Sequence, residues 1–251
     1  KEWPEQEVKI VDRQQSRQVR TVRVREVEDG VQEMNVVIPR LLPGEEATAM
    51  ITMEIVKSDM AAPTETESLR VPRRVSRSMA KYLKSSPYIN TRDPVIQQAA
   101  AEVMAGADGG WSQAEAIYDW VREKIEYRFD RNIKSSRQAL DDGFGDCEEM
   151  TSLFIAMCRA VGIPARAVWV PGHCYPEFYL EDEQGNGTWF PCQAAGPRSF
   201  GSMPEERPIL QKGDNFRVPG HRQPMRYVQE TLTAKNAAAQ PEVKFTREQV
   251  Q

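Results

Sequence analysis

The run GDCEEMTSLFIAMCRAVGIPAR, residues 145–166, sets a cysteine directly after Gly-Asp and at the head of an apolar-periodic segment. Cys147, Met150, Leu153, Phe154, Met157, Cys158 and Val161 fall on one stripe at helical spacing, and Gly162-Ile163-Pro164 ends it. Cys147 therefore stands at or near the first residue of a helix. Unpaired N–H groups and a partial positive charge at that end favour thiolate over thiol. Cysteines so placed titrate at about 3.5–7.5 rather than about 8.5, and the same amides can hold an oxyanion. The competing reading is a small buried residue that opens the stripe, since free cysteine is among the most buried types. Position alone does not separate the two.

The chain beyond the helix does. ARAVWV (165–170) reads as a strand, Pro171-Gly172 as a break, HCYPEFYL (173–180) as a second strand, EDEQGNG as a turn and TWFPCQ (188–193) as a third strand. Alternation puts His173, Tyr175, Glu177 and Tyr179 on one face and Cys174, Pro176, Phe178 and Leu180 on the other. A hairpin centred near Glu183 pairs His173 with Gln193 and, in the same register, Cys174 with Cys192. A thiol, an imidazole and an amide then make a nucleophile, a base and an orienter: Cys147, His173 and Gln193. Asp146, Tyr175 and Glu177 are candidates for supporting the reacting groups or the oxyanion. For Asp146 the competing role is to complement the helix dipole, and for Glu177 it is a strand carboxylate paired with an arginine. Cys174 and Cys192 are candidates for a cross-strand disulfide, with two reduced core thiols as the alternative.

These residues resemble a known family. Gly145-Asp146-Cys147, Leu153-Phe154, Arg159-Ala160, GIPAR at 162–166, His173 with Glu177 and Tyr179, and Trp189 with Pro191 and position 193 are similar to the transglutaminase-like superfamily core. The resemblance spans roughly residues 75–200. It implies an α+β, papain-like fold: helices plus an antiparallel β-sheet, with the nucleophilic cysteine at a helix N-terminus. It also implies a Cys-His-Asp triad, carried here by Cys147, His173 and position 193. The activity it implies is acyl transfer or hydrolysis of protein or peptide amides through a thioester, or a catalytically silent interaction module on the same scaffold. Three features depart from the pattern. Position 193 is Gln rather than Asp, position 175 is Tyr rather than Trp, and only Pro171-Gly172 joins the first strand to His173. A neutral amide orients an imidazole but stabilises imidazolium less than a carboxylate does, and losing a triad acid costs up to ~10⁴-fold in rate.

Upstream, QVRTVRVREVEDGVQEMNVVI (18–38) alternates around Asp29-Gly30, and ATAMITMEIV (47–56) alternates again after LLPG at 41–44. Residues 1–65 thus read as a small β region, similar to the β-sandwich that often precedes such cores in bacterial members. Residues 66–74 read as a linker, 75–218 as the core and 219–251 as a polar tail that is mobile or loosely docked. In the core, Val75, Met79, Tyr82 and Leu83 share one face of a first helix. Asp93-Pro94 opens a second, and Ser112 with Glu115 forms a capping box for a third.

The 251 residues carry a net charge of −4, against a nucleic-acid partner, and contain no apolar run of membrane-spanning length. The chemistry calls for no cofactor and no metal; a zinc site from Cys147, His173 and Cys192 lacks the CxxC or HExxH spacing. Cys158, on the face of Cys147 but about 16 Å along the helix, reads as a core thiol, and His221 as a surface residue. The expected partner is a protein or peptide substrate; nothing in the sequence sets an oligomeric state. Lys1 is not a natural start, so a periplasmic or secreted protein trimmed of its leader fits, as does a fragment. A Cys174–Cys192 bridge would likewise point to an oxidising compartment.

Overall fold

The computed structural model describes residues 3–218, 221–237, 239 and 241–248. Its centre is α4 (Cys147–Ala160), where every residue from Glu149 to Arg159 is buried. A helix covered on all sides needs no polar stripe, which is why Thr151 and Ser152 can sit inside with their apolar neighbours. The helix ends in two bonds that close orphan carbonyls: Ile163 N–H donates to Cys158 O at 2.9 Å and Gly162 N–H to Arg159 O at 3.2 Å. Gly162 takes φ 90°, a conformation that favours glycine at this point.

Three further helices pack on α4: α1 (Pro94–Met104), α2 (Gly110–Lys124) and α3 (Ser136–Asp142). Asp93 caps α1 by accepting from Val95 N and Ile96 N. At α2 the expected capping box is corrected. The helix begins at Gly110, and the Ser112 hydroxyl donates instead to Asp108 O at 2.5 Å. Gly110 allows the earlier start, because a Cβ there would lie 2.8 Å from Leu180 and from the Val71 backbone. The helix expected around Val75–Leu83 is only a 3₁₀ turn, Met79–Leu83.

Ahead of α4 two short strands, β5 (Glu126–Tyr127) and β6 (Phe144–Gly145), pair in parallel. The sheet against α4 is antiparallel, in the order β10 (Gln211–Lys212), β7 (Ala165–Val170), β8 (His173–Glu181), β9 (Gly187–Pro191). The alternation of β8 divides two cores. Cys174, Phe178 and Leu180 join the helices and an aromatic cluster in which Phe178 stacks on Phe200 at 4.9 Å. Tyr175 lies on the other side with Val168, Val170, Met203 and Ile209.

The N-terminal region holds four strands, one more than the sequence pattern suggested. β1 (Gln6–Gln15) pairs with β4 (Ala49–Lys57), and β2 (Thr21–Glu26) with β3 (Gln32–Val37), as separate two-stranded ribbons. Asp29 and Gly30 both take positive φ at the β2–β3 turn. The start of β1 is fastened to the core: Gln6 exchanges two hydrogen bonds with the Ile209 backbone, and Glu5 pairs with Lys212. The 66–74 segment is fastened as well. Leu69 is buried in the main core, and Arg70 exchanges backbone bonds of 2.8 and 2.9 Å with Glu181.

Of the 219–251 tail, residues 219–220, 238, 240 and 249–251 lie outside the described residues. Its described start is docked rather than loose. Met225 and Phe216 exchange backbone bonds, Val228 is held by the Gln211 side chain, and Arg226 is buried. His221 is exposed.

Candidate active site

The chain is led into α4 by a capping box. Asp146 Oδ1 accepts from Glu148 N at 2.8 Å, while Glu149 Oε2 accepts from Asp146 N at 3.0 Å. Glu149 Oε1 also takes Lys134 N at 2.9 Å, tying the box to the preceding loop. Gly145 makes this closure fit, since a Cβ there would lie 2.4 Å from Glu149 Cβ. Asp146 is therefore the helix cap. Burial, with the neighbouring Cys147 and Glu149, lifts its carboxyl to about 7 against the pull of the Glu148 N–H. Cys147 follows as the first helical residue, half-buried.

His173 arrives from β7 through the two-residue turn Pro171-Gly172, where Gly172 takes φ 70°, as a type II turn requires after Pro. Arg207 Nη1 donates to Pro171 O at 2.8 Å and steadies that turn. Gln193 lies just past β9, pinned by its backbone: its N–H donates to Ser199 O, and its carbonyl accepts from Tyr118 Oη and Arg122 Nη1. Its side chain meets the imidazole, with His173 Nε2 and Gln193 Oε1 2.8 Å apart. A carboxamide oxygen only accepts, so Nε2 carries the hydrogen and Nδ1 is left for the thiol.

The expected hairpin register is corrected here. The ladder runs Glu177↔Pro191 and Phe178↔Phe190, two residues away from the pairing of His173 with Gln193. The cause is the turn: Asp182 accepts from Asn186 N at 2.8 Å and closes a loop centred on Gln184. A two-residue slip keeps every side chain on its face, so the long Gln193 side chain still reaches His173 diagonally. The cysteine pairing does not survive the slip. Cys192 N–H bonds Pro176 O, and Cys174 and Cys192 are free, buried thiols. The pointer to an oxidising compartment that a bridge would have supplied is absent with it. Cys158 is likewise buried and free.

Tyr175 and Glu177 do not join Cys147. Tyr175 is buried on the far side of the sheet, where it lines a cavity of about 310 Å³ with Glu5, Lys57, Met60 and Met203. Glu177 is fully buried between Arg166 Nε at 2.9 Å and Lys212 Nζ at 2.5 Å. Burial alone would raise its carboxyl, but Lys212 and then Arg166 overcome this and hold it below its ordinary value. Arg166 in turn lies over the Trp189 ring at 4.1 Å. Among the described residues no cluster of three His, Cys, Asp or Glu side chains is set to hold a metal ion.

The electrostatics single out Cys147. Its thiol is pulled from an ordinary value of 9.0 to about 4, first by a hydrogen bond from the Cys174 side chain, then by His173 and the Cys174 backbone, against burial. Burial works against a charged His173, yet hydrogen bonds to Cys147 and Gln193 outweigh it and raise its pKa above 6.5. The two shifts favour a thiolate beside an imidazolium. The sequence pattern passed over Arg207, whose charge acts on both His173 and Cys147, and Tyr127, an exposed ring close enough to feel Cys147. It also passed over the contact of Cys174 with Cys147, for which adjacency to His173 was the only signal.

The model of the transglutaminase-like superfamily matches residues 97–194, from α1 to just past Gln193. That match supports a transglutaminase-like domain over residues 97–194. The matched stretch contains Cys147, His173 and Gln193, together with the helix and strands that present them. An uncharacterized protein of Haemophilus influenzae is 28% identical over 102 residues, which is 36% of this chain and 25% of that protein. The chain thus spans about a quarter of that relative's length. A crystal structure of a candidate cysteine protease from Cytophaga hutchinsonii superposes at a TM-score of 0.58 with 19% identity, over 84% of this chain and 72% of the other. That likeness, together with the superfamily match, gives the fold: α+β, papain-like, with a transglutaminase-like core preceded by strands.

Proposed function

We propose that the transglutaminase-like domain performs thiol-dependent acyl transfer or hydrolysis on an amide of a protein or peptide, through a thioester on Cys147. The observation that carries this reading is the low-titrating Cys147 at the start of α4 beside His173, whose other ring nitrogen is held by Gln193 at 2.8 Å. The Cys147 thiolate attacks the carbonyl carbon, and the oxyanion meets the Cys147 backbone N–H, which has no partner within the helix. His173 gives its Nδ1 proton to the departing amine as the C–N bond breaks. The neutral imidazole then takes a proton from water or from an acceptor amine, which attacks the thioester and releases the thiolate. Gln193 keeps the ring oriented throughout.

A second reading has one observation in its favour. The group on His173 is an amide, which gives the imidazolium no countercharge, as expected of a silent interaction module. Amine release from a panel of peptide amides, with and without a labelled primary amine, tests both readings. Turnover lost in Cys147→Ala supports the enzyme, and label incorporation selects transfer over hydrolysis. Turnover that persists in Cys147→Ala contradicts it, and silence in both the native chain and Gln193→Glu favours the interaction module.

A further inference from the structure

Cys174 follows His173 directly in β8, so simple alternation turns it away from the histidine. In the structure it is pressed against α4. Thr151 Oγ1 donates to Cys174 O at 3.4 Å, Cys174 Sγ donates to Cys147 O at 3.5 Å, and the residue is 1% exposed. Its thiol thus sits against the first turn of the helix that begins with Cys147, closed to water. Burial pushes that thiol well above its ordinary range, so it stays an S–H donor wherever Cys147 is ionised. The Cys147 carbonyl already receives a bond from the following turn, as helix carbonyls do. The Cys147 sulfur, when charged, is the stronger acceptor. On the other side of the site His173 Nε2 meets the neutral Gln193 amide.

We propose that Cys174 is a positioning residue for Cys147: its S–H donates to the Cys147 sulfur, fixes it at the helix N-terminus and stabilises it as thiolate. This rests on the reading of Cys147 as the nucleophile. No bond is made or broken at Cys174, and its proton stays where it is. One consequence is that Cys174 is unreactive towards alkylating agents while Cys147 reacts.

The test is the ultraviolet absorbance of the Cys147 thiolate, titrated from acid to alkaline pH in the native chain and its Cys174→Ala, Cys174→Val and Cys174→Ser variants. Cys147→Ser supplies the baseline. Ala and Val, which remove the donor, should move the titration up by at least a unit, so that about tenfold less thiolate is present at a given acid pH. Ser still donates and should recover most of that shift, even if Ala leaves a packing defect. A native chain that titrates like a free thiol overturns the nucleophile reading itself. A native chain that titrates low, with Ala and Val titrating equally low, overturns only the role of Cys174. A Ser variant shifted as far as Ala overturns the donor role and leaves Cys174 a packing residue.

Discussion

Helix α4 and the β1–β4 ribbon lie at opposite extremes of burial in this molecule. From Glu149 to Arg159 the helix has no exposed residue, whereas the ribbon leaves Val8, Val11, Met50, Met53, Ile55 and Val56 exposed. The ribbon is joined to the core mainly at one end, through Glu5, Gln6 and Lys57, the last donating to the Glu205 and Arg207 carbonyls. The reactive cysteine thus begins the most heavily buried element, whereas the ribbon carries little of the packing. A pre-organised site needs such a frame, because ångström-scale displacement of a reacting group can cost about 10²-fold in rate.

The comparison can be broken or sharpened by experiment, starting with the largest effect. Cys147→Ala should abolish turnover and rapid alkylation, whereas shortening the ribbon's exposed side chains should leave both intact; a steady-state assay of the two sets compares them directly. In the core, Phe178→Ala removes a fully buried ring that touches Phe154, Phe190, Phe200 and Trp111. It should lower stability by about 3–5 kcal/mol in urea unfolding. Val56→Thr on the ribbon should stay within about 0.5 kcal/mol. Comparable losses at the two positions would remove the contrast.

A middle-sized effect is expected at position 193. Gln193→Glu keeps the reach of the side chain and adds a charge to His173, so the imidazolium should persist to higher pH, by about a unit or more. Turnover should rise accordingly. Acylation needs thiolate and imidazolium together. Its rate in the native chain should therefore grow as pH passes about 4 and decline as pH climbs through the His173 value, which lies above 6.5. Gln193→Glu should extend only the alkaline limb, and a pH–rate profile of both forms would show it.

The smallest effect belongs to Glu177. Its folded pKa is below its ordinary 4.5, so the unfolded chain binds the proton first as pH falls. Its contribution is present above about 4.5 and is lost as pH drops through the lower folded value. Urea midpoints between neutral and acid pH should fall more steeply in the native chain than in Glu177→Gln.

How much of this was legible in the sequence depended on how local the determinant was. The α4 stripe, its Asp146 start and its Gly162 stop are set within a few residues, and the pattern showed them. Cys147, His173 and Gln193 could be grouped because strand alternation and helix period are also local rules. The register was not readable, because a single carboxylate, Asp182, closes the turn one residue further along than symmetry of the motif suggested. Tyr175 and Glu177 share the alternation of His173, but their face is covered by Met203, Ile209, Glu5 and Lys212, which are distant in sequence. β1 escaped notice because its charged and amide residues mask a strand that is mostly exposed. The Cys174–Cys147 contact exists only once β8 packs on α4.

The measurement that reaches furthest is alkylation of the native chain by iodoacetamide across pH, with peptide mapping of Cys147, Cys158, Cys174 and Cys192. The expected result is rapid labelling confined to Cys147, with an apparent pKa of about 4 that moves upward in His173→Ala. Slow labelling of Cys147 with an apparent pKa at or above about 8.5, the value of a free thiol, would contradict an activated nucleophile and leave Cys147 as the residue that merely starts a buried helix.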